Sequence, residues 1–340
     1  MPLYTECSYC SAKCSVPDNK ELIPACKSCM PLRNKGVDPD THQQEQKISH
    51  AGFEHLDMNT DKDFDWRKAL QVMKDVKDIN AVASTSQTEL HTVIETDKPI
   101  ALCFTSDWHL GSLATNYEAW LAHINYILET PNLYMASVGD LIEDSKSFFS
   151  LAAVLSQAIS PKMQGKVLGK ILQELSENKK IVAGWWGNHD QDRDNKLMGQ
   201  SLVEDQFGRT GIPYFNGIGE LHLTVGEVEY SIVGTHKSRF NSMLNIHHGT
   251  QALHKMQYPN SDIVVSAHTH SPGVAQEVRY GREVLFVKTG SHKRDDTFTK
   301  QYFPLGEIGI PTVVLDPHRK EMIPFWNPVF AVRYINGLRK

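Results

Sequence analysis

The sequence has no apolar run of about 18 residues, so no membrane-spanning helix is expected. Its first residues, MPLYTECSYC, lack a basic segment followed by an apolar one, which argues against a secretory leader. Both absences point to a cytoplasmic location and no membrane partner. Positive charge is not in surplus: 35 Lys and Arg face 40 Asp and Glu, a net charge of −5 with His neutral. A global basic field of the kind that advertises nucleic-acid binding is therefore missing, although a local basic patch remains compatible with an acidic chain. Cysteine is almost missing from the body of the chain. After residue 29 only Cys103 remains, inside an apolar run, where it reads as a small buried hydrophobe. Compositional bias is missing too, with 40% apolar and 22% charged residues. A chain of 340 residues then suggests one large domain or two.

The cysteine that is present sits at the front. Cys7-x2-Cys10 is followed after 15 residues by Cys26-x2-Cys29, the spacing of a four-thiolate zinc site. Each pair presents two sulfurs from one tight turn, and two turns close a tetrahedron. Disulfides are the competing reading, disfavoured in a cytosolic chain. Cys14 either substitutes for Cys10 or lies free. Residues 1–36 thus read as a small zinc-ribbon-like module with one structural zinc. Lys13, Lys20, Lys27, Arg33 and Lys35 make it locally basic. Residues 37–97 read as a linker, with His42, His50 and His55 solvated. Within it, Trp66, Leu70, Met73 and Val76 recur at helical intervals over 64–79. Residues 80–97 are another linker stretch or an irregular strand.

From residue 98 to 340 apolar runs of strand length alternate with helix-like segments, which argues an α/β domain. The strands are expected at 100–106, 133–138, 180–186, 229–235, 262–267 and 284–289. Helices are expected at 117–129, with Leu121, Ile124 and Leu128 on one face, at 162–176 and at 242–256. The chemistry is concentrated at the strand ends. The first strand ends Asp107-Trp108-His109, the second Gly139-Asp140 and the third Gly187-Asn188-His189-Asp190. The fourth ends at His236 and the fifth at His268-Thr269-His270. Strand ends on one edge of a sheet converge, and α/β folds bind ligands there. Imidazoles and carboxylates together suit divalent transition metals, and seven candidate ligands suit two ions. Strand alternation points Trp185 and Trp186 to opposite faces, so at most one approaches the site; core packing is expected for both.

These motifs, DxH, GD, GNHD, a lone His and HxH in order, resemble those of the calcineurin-like metallophosphoesterase superfamily over about residues 98–315. The resemblance implies two packed β-sheets flanked by helices. It implies one divalent metal on Asp107, His109, Asp140 and His270, and a second on Asp140, Asn188, His236 and His268, with Asp140 bridging. Mn, Fe, Zn or Ni would serve, Mn being favoured. A bridging water or hydroxide would attack phosphorus, His189 would protonate the leaving oxygen, and Asp190 would orient His189. Thr289-Gly290-Ser291 resembles the family's Gly-Ser turn beside the site. Ala267 departs from the glycine usual before the HxH pair.

The substrate is less defined. The motif GDLIED and the third motif's Asp190 depart from the protein-phosphatase branch. The zinc module argues for a macromolecular partner, so a phosphodiesterase acting on nucleic acid, as nuclease or end-processing enzyme, is the leading expectation. A phosphomonoesterase or small- or cyclic-nucleotide phosphodiesterase, its zinc module binding protein, is the alternative; a catalytically dead binding protein is a third. Lys237 and Arg239 follow His236 directly and either meet a substrate phosphate or belong to a solvated loop. His247 stands in the same position. The oligomeric state is not legible.

Overall fold

The computed structural model describes residues 4–6, 13–15, 67–68, 70–75, 88–144, 155–192, 201–239, 242, 244–293 and 308–338. The chain divides into two units, Met1–Thr85 and Ser86–Lys340. In the first, β1 (Tyr4–Glu6) pairs antiparallel with β2 (Lys13–Ser15), setting Thr5 opposite Cys14. The expected zinc ligands Cys7, Cys10, Cys26 and Cys29 lie outside the described residues. The helix expected at 64–79 is described at 67–68 and 70–75, where Leu70 and Met73 are exposed; Trp66 and Val76 fall outside.

The second unit holds two mixed six-stranded sheets. One is ordered β11-β12-β10-β9-β8-β3, from β3 (Glu89–Ile94), β8 (Gly219–Val225), β9 (Val228–Thr235), β10 (Ile263–Ser266), β11 (Gly273–Arg279) and β12 (Arg282–Lys288). The other is ordered β14-β13-β4-β5-β6-β7, from β4 (Ile100–Thr105), β5 (Leu133–Val138), β6 (Ile181–Trp185), β7 (Tyr214–Phe215), β13 (Thr312–Leu315) and β14 (Met322–Phe325). Helices α1 (Tyr117–Glu129), α2 (Pro161–Glu177), α3 (Leu202–Thr210), α4 (His248–Met256) and α5 (Pro328–Gly337) flank them. This is the layered arrangement that the resemblance implies. Residues 80–97, expected as linker or irregular strand, contain β3, which pairs in parallel with β8 at the sheet edge.

Alternation assigns each strand's residues to two cores. Ile100, Leu102 and Phe104 of β4 enter the space between the sheets, with Leu221, Leu223, Ile232, Val265 and Leu285 from the opposite sheet. Ala101 and Cys103 face the other way, against Trp120, Ile124 and Leu168 of α1 and α2. Central strands buried on both faces need apolar side chains at every position, which is why they read as unbroken runs. The buried face of α1 is Trp120, Ile124 and Ile127, and Leu121 is exposed, one residue out of phase with the expected stripe. YEAWLAHINYILE is apolar enough to offer both stripes; Trp120 is buried because it meets Trp108 edge-on, 5.5 Å between centroids.

The register between β5 and β6 shifts between Met135 and Ala136, so that Ile181 and Ala183 become successive partners. This bulge lets Ile181 face the helices while Ala183 and Trp185 face the sheet interior. Trp185 stacks on Phe215 at 5.0 Å and donates from Nε1 to Gly219 O at 3.0 Å. A Cβ on Gly234 would strike its indole, so glycine there lets the sheets close over it. Trp185→Ala should cost ~3–5 kcal/mol of folding stability in chemical denaturation; a loss below 1 kcal/mol would mean that the inter-sheet core does not depend on this ring.

Candidate metal centre

The two sheets meet the site with the carboxyl ends of parallel strands. β4, β5 and β6 deliver Asp107, His109, Asp140, Asn188 and His189; β9 and β10 of the other sheet deliver His236, His268 and His270. Backbone bonds lock neighbouring exits together: Asp107 N–H donates to Gly139 O at 2.9 Å, His109 N–H to Asp140 O at 3.1 Å, and Ala267 N–H to His236 O at 3.0 Å. Asp107, His109, Asp140, His268 and His270 all have positive φ, from 48° to 72°. That conformation is unfavourable for any residue with a Cβ, and it concentrates here among the expected ligands. Each strand turns sharply at its end, which throws successive polar side chains into one space. Gly187 is required by close approach instead: a Cβ there would land on Asp140 N and Asp190 Oδ2.

Asp107 Oδ1 lies 3.1 Å from His270 Nε2, 3.7 Å from His109 Nε2 and 3.9 Å from His236 Nε2. Asp140 Oδ2 lies 3.1 Å from His236 Nε2 and 3.9 Å from His189 Nε2. Two triads result, Asp107–His109–His270 and Asp140–His236–His268, each with donor atoms within 4.8 Å of one another. They fall within the two expected ligand sets. His236 Nδ1 donates to Val138 O at 2.7 Å, which fixes the tautomer and turns Nε2 toward the carboxylates. Asn188 Oδ1 is buried and accepts no hydrogen bond. An unsatisfied buried acceptor costs ~1–3 kcal/mol, and a cation among these donors would remove that cost. Carboxylate, imidazole and amide oxygen together fit a divalent transition metal.

Burial works to raise the Asp107 carboxyl, but the His270 and His236 imidazoles outweigh it and hold it well below the usual carboxylate range. Burial works to lower His109, yet Asp107 and Glu143 bring it up to about 9. His236 is likewise brought up to about 9, Asp140 and Asp107 overcoming its burial. His268 goes the other way, down to about 4, through burial and the neighbouring His236.

Glu143 is a site residue that motif reading missed. It is buried, its Oε2 lies 3.0 Å from His109 Nδ1, and its carbonyl oxygen is 2.8 Å from His189 Nδ1. Lys293 Nζ donates to the same carboxylate at 3.0 Å, across 150 residues of sequence. The available signal was an acid three residues after Asp140, at a strand exit that turns back under the site. Asp190 does not orient His189 as expected. Its Oδ1 accepts from Leu141 N–H at 2.9 Å and Ile142 N–H at 3.3 Å, so it braces the backbone after Asp140 instead. Burial first and Asp140 second push its carboxyl up to about 8. Ser291 Oγ donates to Asp107 O at 3.0 Å, which places the Gly-Ser turn under the first ligand. Lys237 and Arg239 are exposed and line a cavity of about 480 Å³ with Trp186. His247 is buried at the start of α4, against Gly273. Trp186 is not a core residue: it is half-buried, 6.5 Å from the His236 ring.

No family model matches the chain, and a search of curated proteins finds no match. Among solved structures it is similar to Vacuolar Protein Sorting 29 from Cryptosporidium parvum, at 16% identity, over 68% of this chain and 100% of that one, with a TM-score of 0.36. It is similar to a putative 5′-nucleotidase from Staphylococcus aureus at 12% identity, over 71% of this chain and 58% of that one, with a TM-score of 0.39. A predicted phosphoesterase from Streptococcus pneumoniae stands at 13%, 68% and 100%, with a TM-score of 0.31. Likeness at this level says nothing of activity.

The raised imidazoles carry a sign. Between pH 6.5 and about 9, His109 and His236 are protonated in the metal-free protein. A metal must displace those protons, so its affinity rises with pH through this window. Calorimetric titration with Mn²⁺ in buffers of different ionisation enthalpy should show proton release at pH 7; binding without proton release would contradict the assignment of these two rings as ligands.

Proposed function

We propose that the chain is a metal-dependent phosphoester hydrolase acting on phosphodiesters of nucleic acid. The observation that supports the chemistry is the pair of carboxylate–imidazole triads, Asp107–His109–His270 and Asp140–His236–His268, built from the strand ends of two sheets. Asp107, His109, Asp140 and His270 would hold one divalent ion and Asp140, Asn188, His236 and His268 a second; ions held there would supply positive charge and Lewis acidity for phosphoester hydrolysis. The chain's own part is then positioning and proton transfer. His189 keeps 14% of its side chain exposed, within reach of a substrate. Its Nδ1 donates to the Glu143 carbonyl, so Nε2 is presented on the side of Asp140. Protonated at Nε2, His189 hands that proton to the leaving oxygen. His189 N–H also donates to Asp140 Oδ1 at 2.8 Å, which ties the acid to a ligand and fixes their spacing.

Support for nucleic acid comes from two basic features. The N-terminal module pairs its CxxC spacing with five lysines and arginines between Lys13 and Lys35. Lys237 and Arg239 are exposed directly after ligand His236.

Chelation should abolish hydrolysis of bis-p-nitrophenyl phosphate and Mn²⁺ should restore it. His189→Asn should keep bound metal, read by elemental analysis, and lower kcat by about 10²–10⁴-fold; unchanged kcat would show that His189 is not the acid. Deleting residues 1–36 should leave the small diester a substrate and weaken binding of single- or double-stranded DNA. Efficient monoester turnover with no cleavage of DNA or RNA would sink the nucleic-acid reading and leave the hydrolase intact.

A further inference from the structure

A cavity of about 480 Å³ opens beside the metal centre, lined by Trp186, Asn216, Ile218 and Leu253, with Lys237 and Arg239 exposed at its edge. Its volume lies within the ~300–1,000 Å³ range of small-ligand sites. Its walls come from four places. Trp186 stands two residues before ligand Asn188, Lys237 one residue after ligand His236, and Leu253 comes from α4. Asn216 and Ile218 sit in the turn between β7 and β8. Helix α4 approaches the 237–239 segment so closely that a Cβ on Gly249 would strike Ser238 Oγ, which seals that wall.

Two polar atoms of lining residues have no account within the fold. Trp186 Nε1, a donor, is buried without a hydrogen-bond partner. Asn216 Oδ1, an acceptor, is buried without one as well, although the Asn216 amide nitrogen donates to Glu204 at 2.6 Å. Unsatisfied buried groups are rare and call for an explanation. A cavity walled by an indole and aliphatic side chains is complementary to a flat heterocycle. The half-buried Trp186 indole supplies a stacking face for such a ring. The exposed Lys237 and Arg239 suit an anionic group attached to it.

We propose that this cavity binds the nucleobase of a nucleotide unit whose phosphate lies at the metal centre. The site rests on the phosphoesterase reading for its phosphate end and on the cavity for its base end. The span is short, since Trp186 and His236 are 6.5 Å apart, ring centre to ring centre. Base stacking tolerates every base, so the cavity selects nucleotide over sugar phosphate more than one base over another.

The test uses the full chain carrying His189→Asn, so that bound ligand is not consumed. Calorimetric titration should show adenosine 5′-monophosphate binding at least about tenfold more tightly than ribose 5-phosphate. Ala252→Trp, which fills the cavity from α4, should erase that difference. Trp186→Ala, which removes the stacking face without adding bulk, should narrow it. Equal binding of the two ligands, or a difference that survives both substitutions, overturns the proposal. A single-stranded hexanucleotide binding more tightly than the mononucleotide supports the cavity and assigns it to a strand; the reverse supports it and assigns it to a free nucleotide. Hydrolysis of bis-p-nitrophenyl phosphate by the wild-type chain is read separately. If that fails while base discrimination holds, the hydrolase reading falls and the cavity stands; if hydrolysis holds and discrimination is absent, only the cavity falls.

Discussion

Two carboxylates, Asp107 and Asp140, are buried almost completely on adjoining strand exits, and the organisation of the second unit depends on keeping them charged there. A lone buried carboxylate is costly and would take up a proton instead. Each raises the other's difficulty, since Asp107 works to raise the Asp140 carboxyl. Neutralising charge must therefore come from close by, and four imidazoles provide it within 3.9 Å: His270 and His109 on Asp107, His189 on Asp140, and His236 on both. His236 belongs to the opposite sheet. The electrostatics of the site thus require two sheets to face each other closely, and the inter-sheet core built around Trp185 makes that possible.

Around this centre lies a ring of groups whose role is geometric. Asp190 holds the backbone after Asp140 through two N–H bonds, Ser291 holds the carbonyl of Asp107, and Val138 O orients His236. Glu143 joins ligand His109 to the proposed acid His189 and is itself held by Lys293. The left-handed turns at Asp107, His109 and Asp140 are tolerated because bonds of this kind hold their loops. These bonds fix the candidate metal ligands in place, and fixed groups are what electrostatic stabilisation of a transition state requires.

Beyond the centre, the surface divides by chemistry. The side toward β9 and α4 carries a cavity with an indole, an amide and two exposed cations. A second cavity of about 570 Å³ lies between α2 and α3, lined by Lys166, Lys170 and Arg209. It contains none of the ligand strand ends, so it has no part in the proposed reaction.

Most of the site was legible in the chain because each ligand comes directly after an apolar run, and a strand's end is a local property. Register put Asp107, His109, Asp140, Asn188, His236, His268 and His270 forward as candidates and the resemblance divided them between two metals; the six expected strands lie within a residue or two of observed ones, whereas β7, β8, β11, β13 and β14 were not expected. Three features around the site were not legible. Glu143 reaches His109 and Lys293 only because the loop after β5 folds back, and no local pattern encodes that return. Asp190 sits beside His189 in sequence, but the π-helical turn over Asn188–Asp192 rotates its carboxylate toward the backbone after Asp140. Trp186 reads like Trp185, as one more apolar residue on a strand. Their separation arises because the strand ends at Trp185, with Trp185 closing the core between the sheets and Trp186 turning toward His236. Hydrophobic periodicity is written into neighbouring residues, so the elements and the chemistry at their ends could be read directly. Which side chains meet across 49 to 150 residues depends on loop paths and sheet packing, and those exist only in the folded chain.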